Sequence, residues 1–174
     1  RGFIRHSVTE KFWAQVRHAE HGELFKSEIR SHERNEPIGI VDYNSFSKLS
    51  EPGTVYFPGP NIGNFAFHRG TFGHGSWSLC GITHTTSSAS SMDSISELLT
   101  APVQAWDALI CTSTAVKNNV NRILQAQVDY LKDRLGVTRL VLPQLPVIPL
   151  GINTDDFLYT DAQKAAARLD LNIA

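Results

Sequence analysis

The sequence predicts an α/β fold, an open parallel sheet covered by helices, and three observations predict it. "WSLCGITHT" (77–85) is an apolar run of strand length that leads into the amphipathic stretch "SMDSISELL" (91–99). The order recurs where "WDALICTS" (106–113) runs straight into a long helical pattern. Beyond that helix "RLVLPQLPVIPLG" (139–151) supplies one or two more strands. Alternation of strand and helix at this spacing is how parallel neighbours are connected.

The first half is read from weaker signals. In "RGFIRHSVTEKFWAQVRHA" (1–19), Phe3, Ile4, Val8, Phe12 and Val16 stand near helical spacing, and "HGELFKSEIRS" (21–31) predicts a second helix. "PIGIVDYNSF" (37–46) and "GTVYF" (53–57) predict short strands, and "PNIGNFAFHRGTF" (60–72) a helix with Pro60 in its first turn. In the second unit Ser94 and Glu97 have capping-box spacing.

The clearest helix covers Thr114 to Leu135: Val116, Val120, Ile123, Leu124, Val128, Leu131 and Leu135 form one apolar stripe, with Lys117, Asn118, Asn121, Arg122, Asp129 and Lys132 outside it. Ser113 is placed to cap it and Gly136 to end it. In the strand region that follows, the last strand centres on Pro146 to Leu150, and its prolines demote it from a central position. "DAQKAAARLDLNI" (161–173) predicts a short amphipathic helix that begins a new unit. Residues 1–158 therefore read as one domain and 159–174 as the start of a linker or second domain. The chain opens with Arg1, and the expectation is a fragment of a longer protein.

Composition narrows the function classes. With 41% hydrophobic and 19% charged residues, the 174-residue chain is an ordinary globular sequence of one domain. Sixteen basic against seventeen acidic side chains, spread along the chain, give a net charge of −1, which argues against nucleic acid as a main partner, since phosphate binding needs a concentrated basic face. The longest apolar tract, 140–150, is interrupted by three prolines and Gln144, so no transmembrane segment is expected. The N-terminus carries charges where a signal peptide has its apolar core, and the expected location is cytoplasmic. Cys80 and Cys111 lie in apolar runs and read as buried thiols, with a disulfide or a metal as the other options.

His84 is the leading candidate site residue. It ends an apolar run, and six of the seven residues after it are serine or threonine. Parallel sheets bind ligands beyond the carboxyl ends of their strands, so His84 with Thr85, Thr86, Ser87 and Ser88 would form a rim able to trade protons and bind polyols. The plain alternative is a structural histidine beside serines that only cap a helix. Other signals carry less. "FGHGSW" has Ser78 where a dinucleotide fingerprint needs its third glycine, and it precedes a strand. Ser113 in "CTSTA" lacks the glycines of a nucleophile elbow, which leaves a hydrolase reading thin. His18 and His21 share a face without a third ligand, and His68, His74 and His84 are irregularly spaced, so no metal is expected. Trp77 and Trp106 read as packing residues. "VIPLGINTDDF" (147–157) reads as a strand end, a stop at Pro149, a tight turn at Gly151, and acceptors on Asn153, Asp155 and Asp156.

Taken together these strings resemble a family. "VIPLGIN", three residues and Phe157 are similar to the Val-Ile-Pro-Asn/Leu-Gly-Val-Asp-x-x-x-Phe signature with which family 4 glycosyltransferases of the GT-B fold leave their N-terminal domain. "WDALICTSTAV" resembles the strand and helix start that precede it, and "GITHTTSS" the histidine-bearing strand end. The three fall in this order within Val55 to Phe157, a stretch of over half the chain, and the strings "THTTSSASSMD" and "APVQAWDALICTS" resemble bacterial members.

The resemblance implies a Rossmann-like open parallel sheet with helices on both faces, one half of a GT-B enzyme. It implies a retaining, hexosyltransferase-type reaction that needs no cofactor or bound metal, with a nucleotide-diphosphate sugar as donor and an acceptor of unknown identity. The partner domain would be the chain's own C-terminal half. His84 would orient the donor sugar, Thr85, Thr86, Ser87 and Ser113 would line the rim, and Pro149, Gly151 and Asn153 would form the hinge. Asn153 departs from the signature, which has Asp there, but keeps an acceptor. In the family a strand and a glycine-rich loop come ahead of the helix to which "RGFIRH" corresponds. The competing reading is a non-catalytic α/β module that binds a small polar ligand or a partner protein.

Overall fold

The computed structural model describes residues 2–173, with the backbone alone at 155 and 156. The expected acceptors Asp155 and Asp156 thus lie outside the described side chains. The elements follow in the order α1 (Gly2–His6), β1 (Phe12–Val16), α2 (Ala19–Ser31), β2 (Ile38–Asp42), β3 (Thr54–Tyr56), α3 (Ile62–Gly70), β4 (Ser78–Thr83), α4 (Ala89–Glu97), β5 (Ala108–Cys111), α5 (Thr114–Leu135) and α6 (Asp161–Asp170). Short 3-10 turns occupy Phe46–Ser50 and Thr154–Phe157.

The fold is α/β, with every strand pair parallel and helices flanking the strands, as a Rossmann-like arrangement requires. The strands form two sheets, β1-β2 and β3-β4-β5. Phe12 faces Ile38 in the first register, and Thr83 faces Cys111 at the end of the β4–β5 ladder. Beyond β5, residues 144–148 run parallel to it: Leu109 N donates to Gln144 O, Cys111 N to Pro146 O, and Ile148 N to Cys111 O. Pro146 interrupts this ladder, so the segment pairs only through isolated bridges at Gln144 and Val147.

The first nineteen residues differ from expectation. "FWAQV" is the strand β1, and only Gly2–His6 is helical ahead of it. Residues 4, 8, 12 and 16 are spaced by four, which fits one helical face and one strand face equally, and here pairing with β2 decides. Two further readings change. α4 begins at Ala89, capped by the Ser88 hydroxyl accepting from Ser91 N, so Ser94 lies inside the helix with its hydroxyl on Ser90 O. α3 starts at Ile62, one residue after Asn61, and Pro60 precedes it.

α5 matches its predicted limits. Ser113 Oγ accepts from Val116 N at 3.1 Å, and Gly136 ends the helix at φ +64, a conformation in which a side chain is strained. Its stripe buries Val120, Leu124 and Leu131 against the main core, while Leu135 is exposed. That core runs from Val41 and Leu49 through Ile62, Trp77, Leu79, Ile95, Leu98 and Leu109 to α5. A second cluster joins Ile4, Phe12 and Ile29, with Phe25 and Ile38 against it. Trp77 is core, whereas Trp106 is half exposed and outside both core clusters.

Among the described residues one charged pair lies wholly inside. Arg69 and Asp107 are both inaccessible to solvent, joined by two bonds of 2.6 and 2.7 Å. Asp107 also accepts from Leu79 N and Gln104 N, and Arg69 Nη1 donates to Trp77 O. The pair thereby fastens α3 to the starts of β4 and β5. By contrast α6 buries no residue; its own capping box between Thr160 and Gln163 defines its start.

Candidate functional site

The candidate rim is set by three strand-to-helix turns at one sheet edge. Because β3, β4 and β5 are parallel, their carboxyl ends share that edge, and α3, α4 and α5 each begin a few residues beyond it. β4 is held in depth by Leu79, Ile82 and Thr83, all buried, with Thr83 Oγ1 donating to Ile110 O. Gly81 is required by close approach: a Cβ there would lie 2.7 Å from Gly59 O and 2.8 Å from Ile62 Cγ2. Through Ile82 N donating to Gly59 O, the loop after β3 is tied to the end of β4.

His84 is the first residue past β4 and is exposed. It has no hydrogen-bond or ion-pair partner among the described residues, so its imidazole is available to a ligand. Thr85 Oγ1 and Ser87 Oγ are 2.8 Å apart, and Ser87 N donates to Thr85 Oγ1, which folds the loop back on itself. Thr86 Oγ1 accepts from Asn119 Nδ2 at 2.7 Å, the side-chain tether from the loop to α5. Sequence reading did not single out Asn119; a polar residue one turn inside a helix that starts at the same edge was the available signal.

The expected site residues thus fall into two groups. His84, Thr85, Thr86 and Ser87 form one loop, and Ser113 lies on the adjacent turn, where Thr83 pairs with Cys111 two residues before it. Its hydroxyl is engaged as the α5 cap, and Ser88 likewise caps α4. Pro149, Gly151 and Asn153 are exposed in the irregular segment after Ile148, away from the loop in sequence and without regular structure.

The electrostatics are mild. α4 and α5 direct the positive ends of their dipoles at the rim. Lys117, one turn inside α5, lies near enough to lower the Cys111 thiol, although burial outweighs it and holds that thiol above its ordinary value. Burial likewise pushes Cys80 up, and both cysteines are free thiols. Among the described residues no group of three or more His, Cys, Asp or Glu could hold a metal ion; His18 and His21 meet only as rings 5.3 Å apart.

An extensive groove lies elsewhere. It measures about 1210 Å³, lies between β1 and β3 and is lined mainly by apolar side chains, Trp13, Val55 and Phe65 among them. His84 does not line this groove and is exposed. A rim of this kind presents one side of a site. Compared with protein-family models, curated proteins and solved structures, the chain gives no significant match.

Proposed function

We propose that this chain is the N-terminal, acceptor-side domain of a retaining glycosyltransferase that moves a sugar from a nucleotide-diphosphate sugar to a separate acceptor. The observation that carries the reading is His84: an unpartnered, exposed imidazole one residue past a buried parallel strand, on a loop of hydroxyls beside two helix N-termini. Sugar hydroxyls need donors and acceptors in close array, and this loop supplies both kinds. In the proposed arrangement His84 hydrogen-bonds the donor sugar and fixes its orientation, while Thr85, Thr86 and Ser87 face the acceptor side. The helix N-termini favour the negative charge that develops on the departing diphosphate.

The open rim fits a cleft that a second domain completes. Exposed Leu150, Ile152, Phe157 and Leu158, and the unburied α6, lie in the segment through which that domain would be joined. The decisive experiment is His84→Ala in the full-length protein supplied with nucleotide sugars. Loss of one positioned contact predicts a fall in turnover of about 100-fold, with donor affinity changed much less. Undiminished transfer removes His84 from the mechanism. No helix of the described residues is long and apolar enough to cross a membrane.

The second reading, a binding module without catalysis, rests on the same open loop. It predicts saturable binding of a small polyol by residues 84–87 in the chain alone, followed by chemical-shift changes, and no transfer by the full-length protein.

A further inference from the structure

The loop from His84 to Ser88 is fixed at its two ends and at one point between them. At its start Thr83 is buried with its hydroxyl on Ile110 O, and at its end the Ser88 hydroxyl caps α4. Between these ends the bonds are local: Thr85 Oγ1 meets Ser87 Oγ at 2.8 Å and accepts from Ser87 N at 3.2 Å. Among the described residues no backbone group of 85, 86 or 87 bonds another element. The one fastening comes from a side chain. Thr86 Oγ1 accepts from Asn119 Nδ2 at 2.7 Å, across 33 positions of sequence.

Asn119 stands on a part of the fold that does not yield. α5 is held by its Ser113 cap and by Val120 and Leu124 in the main core, and it packs against α4. Val120 is the next residue after Asn119 and is fully buried, so the amide moves with the body of the domain. The bond passes that rigidity to the middle of the loop. It also has a direction. An amide NH2 only donates, so it fills an acceptor position on Thr86 Oγ1 and leaves the Thr86 proton unspent. That hydroxyl makes no other bond among the described residues. Half-buried and two residues beyond the exposed His84, Thr86 therefore offers a donor on the same loop as the free imidazole.

We infer that Asn119 is a positioning residue: it holds the loop that carries His84 and sets Thr86 as a hydrogen-bond donor, so that the ligand atom met at Thr86 is an acceptor oxygen. The role in turnover rests on the transferase reading of the rim, whereas the hold on the loop stands without it.

The test uses Asn119→Ala and Asn119→Asp. Alanine is the best helix former, so the first variant keeps α5, as circular dichroism checks. In NMR relaxation of the 174-residue chain, backbone order parameters at 85–87 should fall from about 0.85 to below about 0.6 in Asn119→Ala, and Thr86→Val should do the same. In Asn119→Asp the carboxylate accepts the Thr86 proton, so order is kept while the donor is spent. In the full-length protein supplied with nucleotide sugars, each Asn119 variant should lower turnover by about 10-fold, the first through misplacement of His84 and the second through the missing donor. Unchanged order parameters in Asn119→Ala overturn the hold on the loop. Parent turnover in Asn119→Asp, where His84→Ala is impaired, overturns the assignment of Thr86 as donor. Parent turnover in His84→Ala and in both Asn119 variants, with order lost in Asn119→Ala, sinks the transferase reading instead and leaves the tether standing.

Discussion

Replacing Asp107 by Asn should destabilise the protein severely, although the two side chains are nearly the same size. Asp107 accepts four hydrogen bonds in a site closed to solvent: two from Arg69, one from Leu79 N and one from Gln104 N. An amide keeps one acceptor atom and turns an NH2 group toward two donors, so about two of the four bonds are lost. The Arg69 guanidinium is also left buried without a counter-charge, and its Nε already lacks a hydrogen-bond partner among the described residues. Breaking a buried pair from one side costs about 3–5 kcal/mol, which for a chain of this length lowers Tm by roughly 10 °C. Thermal and urea unfolding followed by circular dichroism give the number. The double replacement Arg69→Met with Asp107→Leu should cost less than either charge-removing single change, since it removes both desolvated charges together. A loss below about 1 kcal/mol for Asp107→Asn, or additive effects in the cycle, would refute the view that this pair fastens α3 to β4 and β5.

Four further outcomes follow from the same structure. His84→Ala should leave the free energy of unfolding within about 0.5 kcal/mol of the parent, because the side chain is exposed and unpartnered among the described residues, so lost turnover cannot be ascribed to unfolding. Ser113→Ala should cost about 1 kcal/mol in urea unfolding through the lost α5 cap, with no change in covalent labelling by serine-directed phosphonates, which a hydrolase would require. Cys111, inaccessible and with its thiol raised by burial, should alkylate far more slowly in the folded chain than in urea when followed by mass spectrometry. Glu36 is held below its ordinary value of 4.5 by its hydrogen bond to Arg34, so its contribution is present above the unfolded value and lost as pH falls through the lower, folded one. The stability difference between the parent and Glu36→Gln should therefore shrink as a pH series descends below 4.5.

Legibility in the sequence tracks locality. β4, β5 and α5 were readable because an apolar run, a capping serine and a terminal glycine are each contained in a few residues, as Ser113 and Gly136 illustrate. β1 was not, since positions spaced by four satisfy both periods and the strand exists through its pairing with β2, across an intervening helix. The Arg69–Asp107 pair spans 38 positions and no local pattern announces it. In the candidate rim, His84 and its hydroxyls follow from their place after a strand, but the Asn119–Thr86 bond depends on how α5 lies beside that loop, which only the packed structure gives.

Gly81 has a bearing on how this surface can diversify. With Gly59 O and Ile62 both under 3 Å from any added carbon, the strand beneath the loop admits no larger residue without moving the turn after β3. New ligand preferences therefore arise most readily at the exposed His84, Thr85 and Ser87, since Thr86 is tethered to Asn119 and Ser88 caps α4. The molecule keeps a rigid floor and an editable lip, and libraries aimed at altered binding should vary the lip alone.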